Sequence, residues 1–127
     1  MKIRLTSIIV DDQDKALEFY TGRLGFLKKM ELPAGEYKWL TVVSAEEPDG
    51  PQVSLEPNVN PAAKAYQKAL YEGGIPMHTF QVDDMQKEHE RLKGAGVVFR
   101  TPPTNMGWGT MAVIEDTCGN LIMLFQA

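Results

Sequence analysis

The chain has 127 residues, 43% hydrophobic and 24% charged, in the range of an ordinary globular domain. A single domain of this length buries about two-thirds of its unfolded surface without disulfides or structural metal, and the lone Cys118 precludes an internal bridge. Lys and Arg number 13 against 17 Asp and Glu, a net charge of −4 that argues against a phosphate-binding surface. No apolar run nears the ~20 residues of a membrane span, and Met1 to Arg4 lead into a strand-like segment rather than a signal sequence. The expectation is a cytoplasmic protein with neither nucleic acid nor membrane as partner.

Strand patterns are predicted at Lys2–Val10, Phe26–Glu31, Tyr37–Ser44 and Gln52–Glu56 in the first half of the chain. Between the first two, Lys15–Leu24 reads as a helix stopped by Gly25. Asn60-Pro61 then supplies an N-cap and a first-turn proline, and Ala62–Tyr71 runs helically up to Gly73-Gly74. The second half continues with strands at Met77–Val82, Val97–Thr101, Thr110–Glu115 and Leu121–Gln126. A helix over Met85–Lys93 lies between the first two of these.

These elements repeat. Ser7-Ile8-Ile9-Val10-Asp11-Asp12, with Lys15 and Glu18 after it, recurs 72 positions later as Thr79-Phe80-Gln81-Val82-Asp83-Asp84 with Lys87 and Glu90. A Gly-containing turn before the last strand recurs too, as Glu47-Pro48-Asp49-Gly50 and Asp116-Thr117-Cys118-Gly119. The order is therefore βαβββ twice: one α+β domain over 1–127, with a first module at about 1–57, a helical connector at about 58–74 and a second module at about 75–127.

Val-Asp-Asp-X-X-Lys-Ala-Leu-Glu-Phe-Tyr up to Tyr20, then Leu24-Gly25-Phe26, and a closing Glu115-Asp116-X-X-Gly119-Asn120 resemble the vicinal oxygen chelate superfamily across the whole chain. That superfamily includes glyoxalase I, fosfomycin-resistance enzymes, extradiol dioxygenases and bleomycin-binding proteins. The resemblance implies two βαβββ modules forming an open, cup-shaped mixed sheet with helices on its outer face, usually within a homodimer. One fold serves many chemistries, so function rests on the site.

In the enzymes of this superfamily a divalent metal is held by His, Glu or Gln from the first and last strands of each module. The resemblance carries those positions onto Leu5 and Met77, five residues before each Val-Asp-Asp valine, and onto Ser54 and Met123, four beyond each turn glycine. None is a strong donor for a hard or borderline dication, so no metal or other cofactor is expected. His78 stands one position from Met77, where strand alternation turns it to the opposite face. Glu56 shares the face of Ser54. The place of the glyoxalase arginine that holds a glutathione carboxylate is taken by Ile9.

The residues predicted to line the cup are Leu5, Ser7, Ile9, Ser54, Glu56, Met77, Thr79, Gln81 and Met123, apolar walls with a few polar groups, as in small-molecule sites. Trp108, flanked by glycines in what reads as a mobile connector, is a candidate for ligand stacking or dimer packing. Trp39 is also a candidate, although its β-branched and apolar neighbours favour a core position. Cys118 lacks an activating neighbour, His89 falls in a charged helix face, and Asp11-Asp12 and Asp83-Asp84 read as helix caps. The expected function is binding or sequestration of a small, partly apolar molecule by a homodimer. A metal-dependent lyase or dioxygenase using His78, Glu56 and Glu115, and a structural or regulatory dimer with a filled cup, are the alternatives.

Overall fold

Two aspartates at equivalent places start the first helix of each module. In the computed structural model, which describes residues 1–127, Asp12 accepts a hydrogen bond from the Lys15 amide at 2.9 Å, and Asp84 from the Lys87 amide at 3.1 Å. Each side chain satisfies an amide that the helix start leaves without a partner. Asn60 does the same for the connector, accepting from the Ala62 amide at 2.9 Å.

The elements run β1 (Leu5–Val10), α1 (Gln13–Leu17), a π-helical segment (Glu18–Arg23), β2 (Leu27–Ala34), β3 (Tyr37–Val43), β4 (Gln52–Pro57) and α2 (Pro61–Glu72). They continue with β5 (His78–Gln81), α3 (Met85–Gly94), β6 (Phe99–Asn105), β7 (Thr110–Glu115) and β8 (Leu121–Gln126). The chain divides into two compact units, residues 1–65 and 66–127, the division falling inside α2. Each unit holds one four-stranded mixed sheet, ordered β1-β4-β3-β2 and β5-β8-β7-β6. The parallel pairs β1/β4 and β5/β8 flank antiparallel ladders, so the architecture is α+β with two repeated modules.

In each sheet one face is covered by helix, and the opposite face is open only in part, since Thr41, Val43, Ser54, Val113 and Leu121 on it are buried. In module 1 the covered face carries Ile8, Val10, Leu40, Val42 and Leu55, all buried with Ala16, Phe19 and Tyr20 from the helical segment. In module 2 the equivalent set is Ala112, Ile114, Ile122 and Leu124, with Met85 and Leu92 of α3. Burying a side chain of this size contributes roughly 1.5–3 kcal/mol, which makes these two faces the core of each unit.

Several boundaries differ from expectation. β1 begins at Leu5 rather than Lys2, leaving Met1 and Ile3 exposed. The helix expected over Lys15–Leu24 is α-helical only to Leu17 and then widens, with the Leu24 amide reaching back five residues to the Phe19 carbonyl. Thr21 Oγ1 donates to the Leu17 carbonyl at 2.6 Å, and the wider turn lets the consecutive aromatics Phe19 and Tyr20 both point inward. β2 and β6 extend to Ala34 and Asn105, past prolines at Pro33, Pro102 and Pro103. Both are sheet edges, where a missing N–H is tolerated and deters further pairing.

Candidate functional site

Parity along the strands decides which side chains meet. Leu5, Ser7 and Ile9 pair in register with Gln52, Ser54 and Glu56, and Ser54 pairs with Thr41. The open face of module 1 therefore brings together Leu5, Ser7, Ile9, Ser54 and Glu56, with Trp39 two residues along β3 from Thr41. The core position anticipated for Trp39 is wrong: it is 39% exposed, because Leu40 and Val42 take the covered face and alternation turns Trp39 away from it. Ser54, by contrast, is 1% exposed and offers little to a ligand. The Ser7 hydroxyl donates to Glu56 Oε1 at 2.9 Å, fixing that carboxylate on the open face.

In module 2, Thr79 and Gln81 pair with Met123 and Phe125, and Met77 immediately precedes β5. Phe125, absent from the expected lining, sits beneath Trp108: the ring centroids are 5.5 Å apart. Trp108 is 68% exposed, and its segment is not an irregular connector. It is the turn of a β6/β7 hairpin, closed by Met106 donating to the Gly109 carbonyl at 2.8 Å and Gly107 donating to Asn105 Oδ1 at 2.7 Å. Gly107 has φ +86°, and a Cβ at Gly109 would meet the Gln126 carbonyl oxygen at 2.8 Å. Both glycines are needed for the turn to seat Trp108 on Phe125.

The far end of that face is occupied by the connector. Gln67 of α2 donates to the Cys118 carbonyl at 3.1 Å and to Asn120 Oδ1 at 3.3 Å. Tyr66 donates to the Met77 sulfur at 3.3 Å. The gap left among Gln67, Leu70, Tyr71, Ile75, Met77 and Leu121 is about 10 Å³, barely a water. Tyr71 donates to Glu115, and Arg100 Nη1 donates to the same carboxylate oxygen at 3.0 Å. The carboxylate holds the phenolic proton, so the Tyr71 pKa is raised above its ordinary value. A cleft of about 140 Å³ opens beside Tyr71, Glu115, Thr117 and Gly119. Tyr71, Arg100 and Gln67 carried no motif signal and were not anticipated.

His78 pairs in register with Ile122 and so lies on the covered face. Burial disfavours its charged form and pushes its pKa down, partly offset by the nearby Asp116. Glu115, paired with Leu121, belongs to the opposite face, so the sheet itself separates His78 from Glu115. Neither module brings three His, Cys, Asp or Glu side chains together around a point. At the four positions where the superfamily implies metal ligands stand alkyl, thioether and hydroxyl groups. These residues do not fit a hard or borderline dication.

His89 departs from the solvated position its charged neighbours suggested: it is half-buried, its ring edge-on to Phe99 with centroids 4.6 Å apart. Cys118 is buried in a turn built on Asp116, which accepts from the Cys118 amide at 2.7 Å and the Asn120 amide at 2.9 Å. No helix is long and apolar enough to cross a membrane.

The two repeated modules and the terminal turn agree with one family. The chain belongs to the Glyoxalase/Bleomycin resistance protein/Dioxygenase superfamily, whose model matches residues 2–124. Among individual proteins, it is 56% identical over 126 residues to the YurT protein of Bacillus subtilis (strain 168), covering 99% of both chains. The crystal structure of UcmS2 superimposes with a TM-score of 0.85 at 32% identity, covering 98% of this chain and 97% of that one. TnmS3, an antibiotic binding protein from Streptomyces sp. CB03234, matches with a TM-score of 0.76 at 26% identity, covering 99% and 95%.

Proposed function

We propose that this protein binds or sequesters a small, partly apolar molecule on the open faces of its sheets without a metal ion, acting as a homodimer in the cytoplasm. The observation that carries the reading is the chemistry at Leu5, Met77 and Met123, which offer apolar contact, and at the buried Ser54, none of them a strong donor at the positions the resemblance gives to metal ligands. Apolar walls interrupted by Ser7, Thr79, Gln81 and Glu56 have the constitution of a ligand site, and the methionines adapt to irregular shapes. The likeness to an antibiotic binding protein supports sequestration as the use of such a surface.

Purified protein incubated with Zn²⁺, Ni²⁺, Mn²⁺ and Fe²⁺, desalted and measured by plasma mass spectrometry, is expected to retain no stoichiometric metal. One tightly held equivalent that activates lactoylglutathione lyase or ring-cleaving dioxygenase turnover overturns the proposal and restores a metal enzyme.

A further inference from the structure

Charge is distributed unequally over the two open faces. In module 2 the one carboxylate, Glu115, is neutralised by Arg100 at 3.0 Å. In module 1 the one carboxylate, Glu56, receives only the neutral Ser7 hydroxyl, and no Lys or Arg pairs with it. The lysines of strands β2 and β3 are engaged elsewhere. Lys38 alternates with Trp39 onto the covered face and pairs with Asp14 at 2.6 Å and Glu31 at 3.3 Å. Lys28 pairs with Glu31 at 2.7 Å, and Lys29 bonds to the Pro48 carbonyl at 2.9 Å.

Apolar surface stands beside this uncompensated charge. Leu5 and Ile9 are on the same strand face as Ser7. Trp39 and Glu56 are each displaced by two residues, in the same direction, from the paired Thr41 and Ser54. Leu32 pairs with Trp39 on the neighbouring strand and is 52% exposed.

We infer that the ligand taken by this face is an organic cation, a protonated amine on an apolar body, with Glu56 binding the ammonium and Trp39 the apolar part. A carboxylate on a surface without a basic partner attracts a cation and repels an anion, and an indole face adds a cation–π contribution. The inference rests on the proposed binding function and adds the sign of the ligand's charge.

The test uses three probes of similar size, 2-phenylethylammonium, 2-phenylethanol and 3-phenylpropionate, titrated into the full chain while the Trp39 indole N–H resonance is followed by NMR. The cation is expected to bind about tenfold more tightly than the alcohol, the size of one net charge-assisted hydrogen bond, with the anion weakest. Glu56→Gln should abolish that preference, Glu56→Asp should retain it, and Trp39→Ala, followed instead through the Ser7 and Glu56 backbone amide resonances, should weaken binding of the cation and the alcohol alike. Equal binding of all three, a preference for the anion, or a preference that survives Glu56→Gln overturns the assignment of charge while the binding reading stands. If no probe shifts Trp39 in the folded wild-type chain, the binding reading falls with it.

Discussion

Module 1 and module 2 start from one plan and reach different interiors. Both cap their first helix with the second aspartate of Val-Asp-Asp, and both set the last strand of the module parallel to the first. In module 2 the β7/β8 ladder runs unbroken through six pairs, from Thr110–Gln126 to Glu115–Leu121. In module 1 the β3/β4 ladder stops after three, at Thr41–Ser54. Beyond it the Gln13 side chain takes over: Nε2 donates to the Lys38 and Leu55 carbonyls at 2.8 Å, and Oε1 accepts from the Lys38 amide at 3.0 Å. The repeat places Met85 at the corresponding position, which has no polar group to bridge strands and none is needed. One amide therefore stands in for backbone pairing at the end of the sheet where Trp39 and Glu56 face outward.

The terminal turns differ in the same spirit. Asp116 is fully buried and accepts hydrogen bonds from the Cys118 and Asn120 amides and from Asn120 Nδ2 at 2.8 Å. Its counterpart Glu47 is exposed and contributes mainly backbone bonds, its amide to the Ser44 carbonyl and its carbonyl to the Gly50 amide. Asp116→Ala leaves buried donors without an acceptor and is expected to cost about 3 kcal/mol or more by urea unfolding. Glu47→Ala should stay within about 0.5 kcal/mol of wild type. Similar costs for the two would show that the turns are equivalent after all.

Exchanging the bridging residue sharpens the comparison further. Gln13→Met gives module 1 the side chain of module 2, removes three hydrogen bonds, and is expected to cost about 2 kcal/mol. Met85→Gln buries an amide beside a complete ladder and should cost about 1–3 kcal/mol without lengthening or shortening that ladder. Hydrogen exchange of the Lys38 amide reads the first directly: it should lose protection in Gln13→Met and keep it in Met85→Gln.

The smallest effect concerns His78. Its pKa is depressed in the folded protein, so below the ordinary value of about 6.5 the unfolded chain binds more protons than the folded one. Stability should therefore fall as the pH drops from about 6.5 toward the folded value, and be flat above that range. His78→Phe should flatten the slope in chemical denaturation measured across that range. A slope unchanged by the substitution would assign the acid sensitivity to another group.

Much of the site was legible because strand alternation is a strict period of two. Once Val-Asp-Asp fixed the repeat, the shared face of Leu5, Ser7, Ile9, Ser54 and Glu56 followed, as did the opposite orientation of His78. Trp39 was misplaced because its neighbours Leu40 and Val42 are apolar, and composition alone does not say which parity a helix covers. The hairpin turn that carries Trp108 was not legible, since Gly-Trp-Gly suits a loose connector or a tight turn equally well until Phe125 is seen under the indole. Tyr71, Arg100 and Glu115 meet from three separate elements, and no spacing in the chain announces them.

Periodicity, capping residues and internal repetition were written in the amino-acid order: two βαβββ modules, their helix starts and the poor donors at the implied metal positions. Those features depend on contacts within a few residues, or on a period that any strand obeys. The tertiary structure alone decided that Gln13 ends a ladder, that α2 closes over Met77, and that Glu115 is neutralised while Glu56 is not. Each of these depends on which distant side chain arrives beside a given group, and only the packed fold brings such pairs together.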